Sequence, residues 1–239
     1  MKALLIATIV LLGCSGGRGT LGLFGDADPR VLYSVQTDER VVALTIDDGP
    51  DPETTPRILD VLARNRATAT FFVIGDRIPN NEPLLAALVA EGHELGNHMT
   101  HDEPSIELAP EQFEHELLEA RATLSSFNEP LWFRPGSGWY DAQMLDQLDR
   151  HGYRCALGSI YPLDAHVPWS WFATRFILWR IAPGAVIVLH DGPERGERTT
   201  RTLAALLPEL DRMGYRVVTL SELSGAATTG ADRSAGVDR

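Results

Sequence analysis

At 239 residues and 44% hydrophobic, the chain has the apolar content of one α/β domain or a small two-domain protein. Its 33 acidic against 21 basic residues leave a formal net charge of −12, which excludes the usual basic nucleic-acid binder. The same charge disfavours adhesion to anionic lipid by electrostatics alone, whereas an uncharged ligand such as a carbohydrate fits it easily.

The predicted elements begin with Lys2 and the apolar run Ala3 to Leu12, followed by Gly13-Cys14-Ser15-Gly16-Gly17. A basic start, a short apolar run and small residues describe an export segment over 1–17. The run is too short to span a bilayer comfortably as a helix. Leu11-Leu12-Gly13-Cys14 resembles a bacterial lipobox. Two outcomes are open, acylation of Cys14 as a lipid anchor or simple secretion, and both send the chain to the cell envelope or beyond. Cys155 then has no partner, so no disulfide framework is expected, and it reads as a small buried hydrophobe. Residues 18–39 form an irregular lead-in.

From Val41 the chain alternates strand and helix signals to residue 223. Strands are predicted at 41–46, 67–74, from Glu94, 131–133, 154–160, 185–189 and 216–220. Helices are predicted at 54–65, 82–91, 110–127, 141–151, 171–181 and 201–213. The acidic positions Glu111, Glu114, Glu116 and Glu119 read as a solvated helix face, and the stretch Arg195 to Arg201 as a polar, solvent-facing loop. Residues 224–239 lack large apolar side chains and are expected to be disordered. Seven strands interleaved with helices predict a parallel sheet, either closed into a barrel or doubly wound.

Chemistry-bearing residues gather at the ends of these strands. Asp47 and Asp48 follow the first strand within Thr45-Ile46-Asp47-Asp48-Gly49-Pro50. Two adjacent carboxylates at the end of a buried strand are costly unless a cation compensates one and the other moves a proton. His98 follows the third strand, Arg134 the fourth, Asp164 the fifth, and His190-Asp191 the sixth. In a β/α barrel such positions converge on one face, where active sites are built.

Together these residues resemble the polysaccharide deacetylase family, also called NodB-homology or carbohydrate esterase family 4, over 40–223. The likeness rests on the Thr45–Pro50 hexapeptide, on Phe133-Arg134-Pro135-Gly136-Ser137-Gly138 and on Val186-Ile187-Val188-Leu189-His190-Asp191. The resemblance implies a distorted (β/α)7 barrel and a hydrolase that removes N-acetyl groups from amino sugars of a chitin- or peptidoglycan-like polysaccharide. It implies one divalent metal, zinc first and Co2+, Ni2+ or Mn2+ as alternatives, with Asp48 and His98 as ligands. Asp47 would be the base that activates the metal-bound water, and Arg134 would orient that base. His190 would protonate the leaving amine with Asp164 as its charge partner, and the Ser137 amide would stabilise the oxyanion. Leu189 would line the acetyl pocket, and Trp139-Tyr140 could stack on a sugar ring. No obligate protein partner is evident, and membrane contact would come only through Cys14.

Two motifs depart from the family pattern. Where the family places its second ligand histidine four residues after the first, this chain has Asp102, and His101 arrives one place early. Residues four apart share a helical face better than residues three apart, so Asp102 is expected as the third ligand and His101 is its alternative. In the fourth motif an aromatic is absent, and Tyr161 stands where an acid is usual. The readings that compete with N-deacetylation are a carbohydrate O-acetyl esterase and a metal-free carbohydrate-binding pseudoenzyme. His93 is expected to be structural.

Overall fold

The structure, a computed structural model, describes residues 28–225. The export segment, Cys14 and all but two residues of the predicted tail lie outside them. The strands and main helices follow one another as β1 (Val31–Leu32), β2 (Val41–Gly49), α1 (Thr55–Arg64), β3 (Thr70–Val73), α2 (Glu82–Ala90), β4 (Glu94–Asn97) and α3 (Pro110–Leu124), then β5 (Trp132–Phe133), α4 (Ala142–Arg150), β6 (Arg154–Ala156), α5 (Ser170–Arg180), β7 (Val186–His190), α6 (Pro193–Arg212) and β8 (Arg216–Val218).

All strand pairs in the sheet are parallel, in the order β1-β6-β5-β4-β3-β2-β7, with β8 beside the first residues of β2. The sheet curls so that Ser159 and Ile160, just past β6, donate backbone hydrogen bonds to Val186 O, each 3.0 Å long, and Val188 N donates to Ile160 O at 2.9 Å. This is the distorted (β/α) barrel expected, with a seam between β6 and β7. The lead-in fills part of that seam: β1 pairs with β6, and Val35 N donates to Gly184 O at 2.9 Å. Residues 18–39 were expected to be irregular throughout. A two-residue strand carries too little periodicity to be read from sequence.

Alternation along β2 divides the core. Val42, Leu44 and Ile46 join Ile187 and Leu189 of β7 in packing against Ile58 and Leu62 of α1 and Leu203 and Leu206 of α6. Val41 and Ala43 point the other way, into an interior cluster with Phe72, Trp132, Ala156 and Val186. The same inward row continues through Thr45 to Asp47, so the barrel interior grades from apolar to charged toward the carboxyl ends of the strands. Two boundaries differ from expectation. Helix α6 begins at Pro193, so Arg195 to Arg201 is helix rather than loop. Residues 220–225 are helical, which carries the fold two residues into the segment expected to be disordered.

Candidate active site at the carboxyl ends of the strands

Strand β2 ends in a bulge. Its register against β3 shifts between Asp47 and Gly49, and Asp48 adopts a positive φ of 68°. In a regular strand, neighbouring residues face opposite ways. A bulge re-aims side chains locally, and here both adjacent carboxylates reach the same site. Asp tolerates the left-handed region better than most residues.

Asp47 is buried and accepts a 2.5 Å hydrogen bond from Arg134 Nη1. That guanidinium is itself fixed: Nε donates to Ala156 O at 2.9 Å, Nη1 also donates to Thr45 Oγ1 at 2.8 Å, and the group lies 4.1 Å over the Phe72 ring. Arg134 Nη2 is buried without a hydrogen-bond partner, so one donor stays available inside the site.

Asp48 Oδ1 lies 3.3 Å from His98 Nε2, and Arg195 Nη1 pairs with Oδ2. Burial alone would raise the Asp48 pKa. The His98 hydrogen bond and the charges of His98, His190 and Arg195 outweigh it and hold the carboxyl well below the usual range. His98 Nδ1 lies 2.7 Å from Arg134 O, which can only accept, so Nδ1 carries the proton. Nε2 then faces the Asp48 carboxylate, which it can meet either by donating a proton or by sharing a cation with it. This tautomer control through a backbone carbonyl is the arrangement expected of a ligand histidine.

Asp47 and His190 are register partners on the adjacent strands β2 and β7. His190 Nδ1 lies 3.0 Å from Asp164 Oδ2, and the same carboxylate oxygen accepts the His190 backbone N–H at 3.0 Å. Burial lowers the His190 pKa, but the Asp164 bond and the nearby Asp47 and Asp48 charges more than reverse it, so the net shift is upward. Tyr161 packs edge-on against the imidazole at 5.6 Å between ring centres, and burial pushes its own phenol up to about 12. Asp191 has a structural role: fully buried, it accepts 2.5 Å bonds from both Thr54 Oγ1 and Thr55 Oγ1 and ties the start of α6 to α1.

Not every predicted residue joins this group. The Asp102 carboxylate is exposed and pairs with Arg77 Nη2 at 2.6 Å. Arg77 Nη1 in turn binds the Asp48 carbonyl, so Asp102 stands one guanidinium away from Asp48. His101 turns toward Glu116 and Asp76 instead. Among the described residues, neither has a ligand atom gathered with those of Asp48 and His98. Leu189 needs correction as an acetyl-pocket residue: it is fully buried in the cluster between sheet and helices. Strand alternation instead puts Val188 on the face that His190 uses. Ser137 has a positive φ of 64° in the loop after β5; Trp139 is exposed, and the Tyr140 hydroxyl lies 3.0 Å from that of Tyr33. His93 is structural, its Nδ1 accepting from Ala69 N at 3.1 Å and burial lowering its pKa to about 4. Cys155 is a buried thiol that desolvation pushes up to about 12.

Two expectations about surface charge fail. Glu116 is 3% exposed, so the acidic run on α3 is not wholly solvated. Arg195 sits on Asp48 rather than in solvent, and Arg198 Nη1 binds the Asp164 carbonyl. Their spacing of three, one helical turn, was the available signal, but it becomes legible only once α6 is known to start at Pro193.

The polysaccharide deacetylase family model matches residues 34–156. The chain is 36% identical over 196 residues to a peptidoglycan-N-acetylglucosamine deacetylase of Bacillus cereus, covering 81% of this chain and 92% of the relative. It is also 36% identical over 206 residues to a chitooligosaccharide deacetylase of Bradyrhizobium sp., covering 80% of this chain and 94% of that one. A crystal structure of a peptidoglycan N-acetylglucosamine deacetylase in complex with 4-naphthalen-1-yl-N-oxidanyl-benzamide superposes with a TM-score of 0.78 at 26% identity, over 81% of this chain and 92% of the other.

Proposed function

The chain belongs to the polysaccharide deacetylase family, and on that premise we propose that it hydrolyses N-acetyl groups from amino sugars of an envelope glycan. The observation that carries the reading is the register pairing of Asp47 with His190, each backed by its own ionic partner. A carboxylate base and a histidine acid thus face the same pocket from neighbouring strands, about 5 Å apart in backbone. Amide hydrolysis needs this pairing, because water must lose a proton and the amine must gain one.

Asp48 and His98 would hold the divalent cation. The residues fit it: a buried carboxylate and an oriented imidazole meet there, and a cation would take the place Arg195 holds on Asp48 Oδ2. The third protein ligand is assigned to Asp102, whose exposed carboxylate can exchange Arg77 for the cation; His101 is the alternative. The nitrogen-and-oxygen donor set suits zinc first, with cobalt, nickel or manganese as alternatives. A cation held there would supply Lewis acidity to the acetyl carbonyl and to the attacking water. Asp47 takes the proton of the attacking water while Arg134 keeps its carboxylate aimed. The Ser137 N–H stabilises the oxyanion, and His190 gives its proton to the departing nitrogen. Val188 replaces Leu189 as the side chain facing the acetyl methyl, and Trp139 offers a ring to a neighbouring sugar. We assign the chain to the cell envelope or exterior through the export segment, either held by a lipid on Cys14 or simply secreted.

Released acetate, measured with N-acetylglucosamine oligomers and with acetylated xylan, tests the reaction. Release from the amino-sugar oligomers is expected. Release from xylan alone would replace N-deacetylation by O-acetyl ester hydrolysis. Inertness toward both, with no ion bound at saturating zinc or cobalt, would make the chain a glycan-binding pseudoenzyme.

A further inference from the structure

The loop after β4 carries a second group of metal-ligating side chains. His101, Glu103 and Glu116 each present one ligand atom, and all three atoms lie within 4.8 Å of one another. Glu116 projects from α3 and is 3% exposed. Its Oε1 accepts from Gln112 Nε2 at 3.1 Å, while Oε2 is buried with no hydrogen-bond partner. Oε2 nevertheless lies 3.1 Å from His101 Nδ1, so the two atoms are close without a shared proton in line. That geometry suits two donors aimed at a common third point. Among the described residues, no Lys or Arg pairs with Glu103 or Glu116, although Asp76 adds a further carboxylate 3.4 Å from His101 Nε2. A buried carboxylate oxygen amid like charges is costly unless a cation is supplied.

We propose that His101, Glu103 and Glu116 form a divalent-cation site, separate from Asp48 and His98, that clamps the loop after β4 to α3. One imidazole and two carboxylates are a donor set for zinc or manganese. Such an ion would act on the active site from behind. The clamped loop begins at His98, and Thr100 Oγ1 already bonds Glu116 O at 3.0 Å. Further along, a Cβ added to Gly136 would sit 2.2 Å from Glu103 O, and Ser105 Oγ accepts from Gly136 N at 2.8 Å. The ion would therefore brace both the His98 loop and the loop that holds Ser137.

The experiment is calorimetric titration of the chelator-stripped full chain with Zn2+ and Mn2+, with thermal unfolding recorded alongside. Wild type, Asp48→Asn, and Asp48→Asn combined with either His101→Asn or Glu116→Gln are compared. Asp48→Asn is expected to keep one ion and its metal-dependent rise in melting temperature. Either second substitution should weaken that ion about tenfold or more, since even outer-shell changes cost that much. His101 is half exposed, so His101→Asn keeps the test open should Glu116→Gln fail to fold. If Asp48→Asn binds no ion, or the second substitutions leave its affinity unchanged, the site does not exist, and a protonated His101 is the partner of Glu116. A wild type with a single ion, kept with Asp48→Asn but lost with either double substitution, would support this site and remove the catalytic one.

Discussion

At the scale of single residues, Asp47 and Asp48 are adjacent in sequence, and the proposed function gives them separate tasks. Asp47→Asn is expected to lower turnover by about 10²–10⁴ while the bound metal is retained, because the proposed general base is lost and the proposed ligand is not. Asp48→Asn should lose turnover and the ion beside His98, leaving one ion fewer than Asp47→Asn, and acetate release beside metal content checks the pair. Arg195 pairs with Asp48 Oδ2, the oxygen that a cation in the proposed site would need. Arg195→Gln is therefore expected to tighten divalent binding, and a titration showing weaker binding would refute the competition. The His190 pKa is raised in the folded chain. An acid must stay protonated, so the rate should hold below that pKa and fall as pH rises through it, above the ordinary value of about 6.5. Asp164→Asn removes the main upward influence and should move this alkaline limb to lower pH. The same sign governs stability: the His190–Asp164 contribution is complete below the unfolded pKa and is lost as pH climbs through the folded one. Most of these residues were legible in the sequence because each is a rare ionisable type at the end of an apolar run. The misplacement of Leu189 has an equally simple cause: residue identity does not say which face of a strand looks into the pocket, and only register decides that.

At the scale of elements, two junctions position the chemistry. The bulge ending β2 turns both aspartates into the site. The start of α6 is pinned where Asp191 receives Thr54 and Thr55, and Gly196 makes the fit possible. A Cβ at Gly196 would lie 2.3 Å from Thr54 Oγ1 and 2.4 Å from Asp191 Oδ1. Gly196→Ala is expected to cost about 1–3 kcal/mol by overpacking, read from the denaturation midpoint, and to loosen Arg195 one residue away. The long strands β2 and β7 were readable from their apolar runs. The start of α6 was not, because Pro193, Glu194, Arg195 and Gly196 have no hydrophobic period and belong to the helix only through contacts with α1.

At the scale of the whole molecule, the lead-in is a structural part of the barrel. Val31 and Val35 are buried, β1 pairs with β6, and the Tyr33 hydroxyl meets that of Tyr140. A chain starting at Thr37 should melt several degrees below one starting at Asp28, since burying each large aliphatic side chain contributes about 1.5–3 kcal/mol. An unchanged melting temperature would show the seam to be stable without it. The sequence by itself determined the alternating β/α order, the parallel sheet and the ionisable residues at strand ends, because apolar periodicity and rare polar residues are local signals. Only the tertiary structure decided that Asp102 pairs with Arg77, that His101 turns to a buried Glu116, and that Arg195 reaches Asp48. Those partners lie on different elements, and their pairing is set by how the strands and helices come together in space, on which the order of residues along the chain is silent.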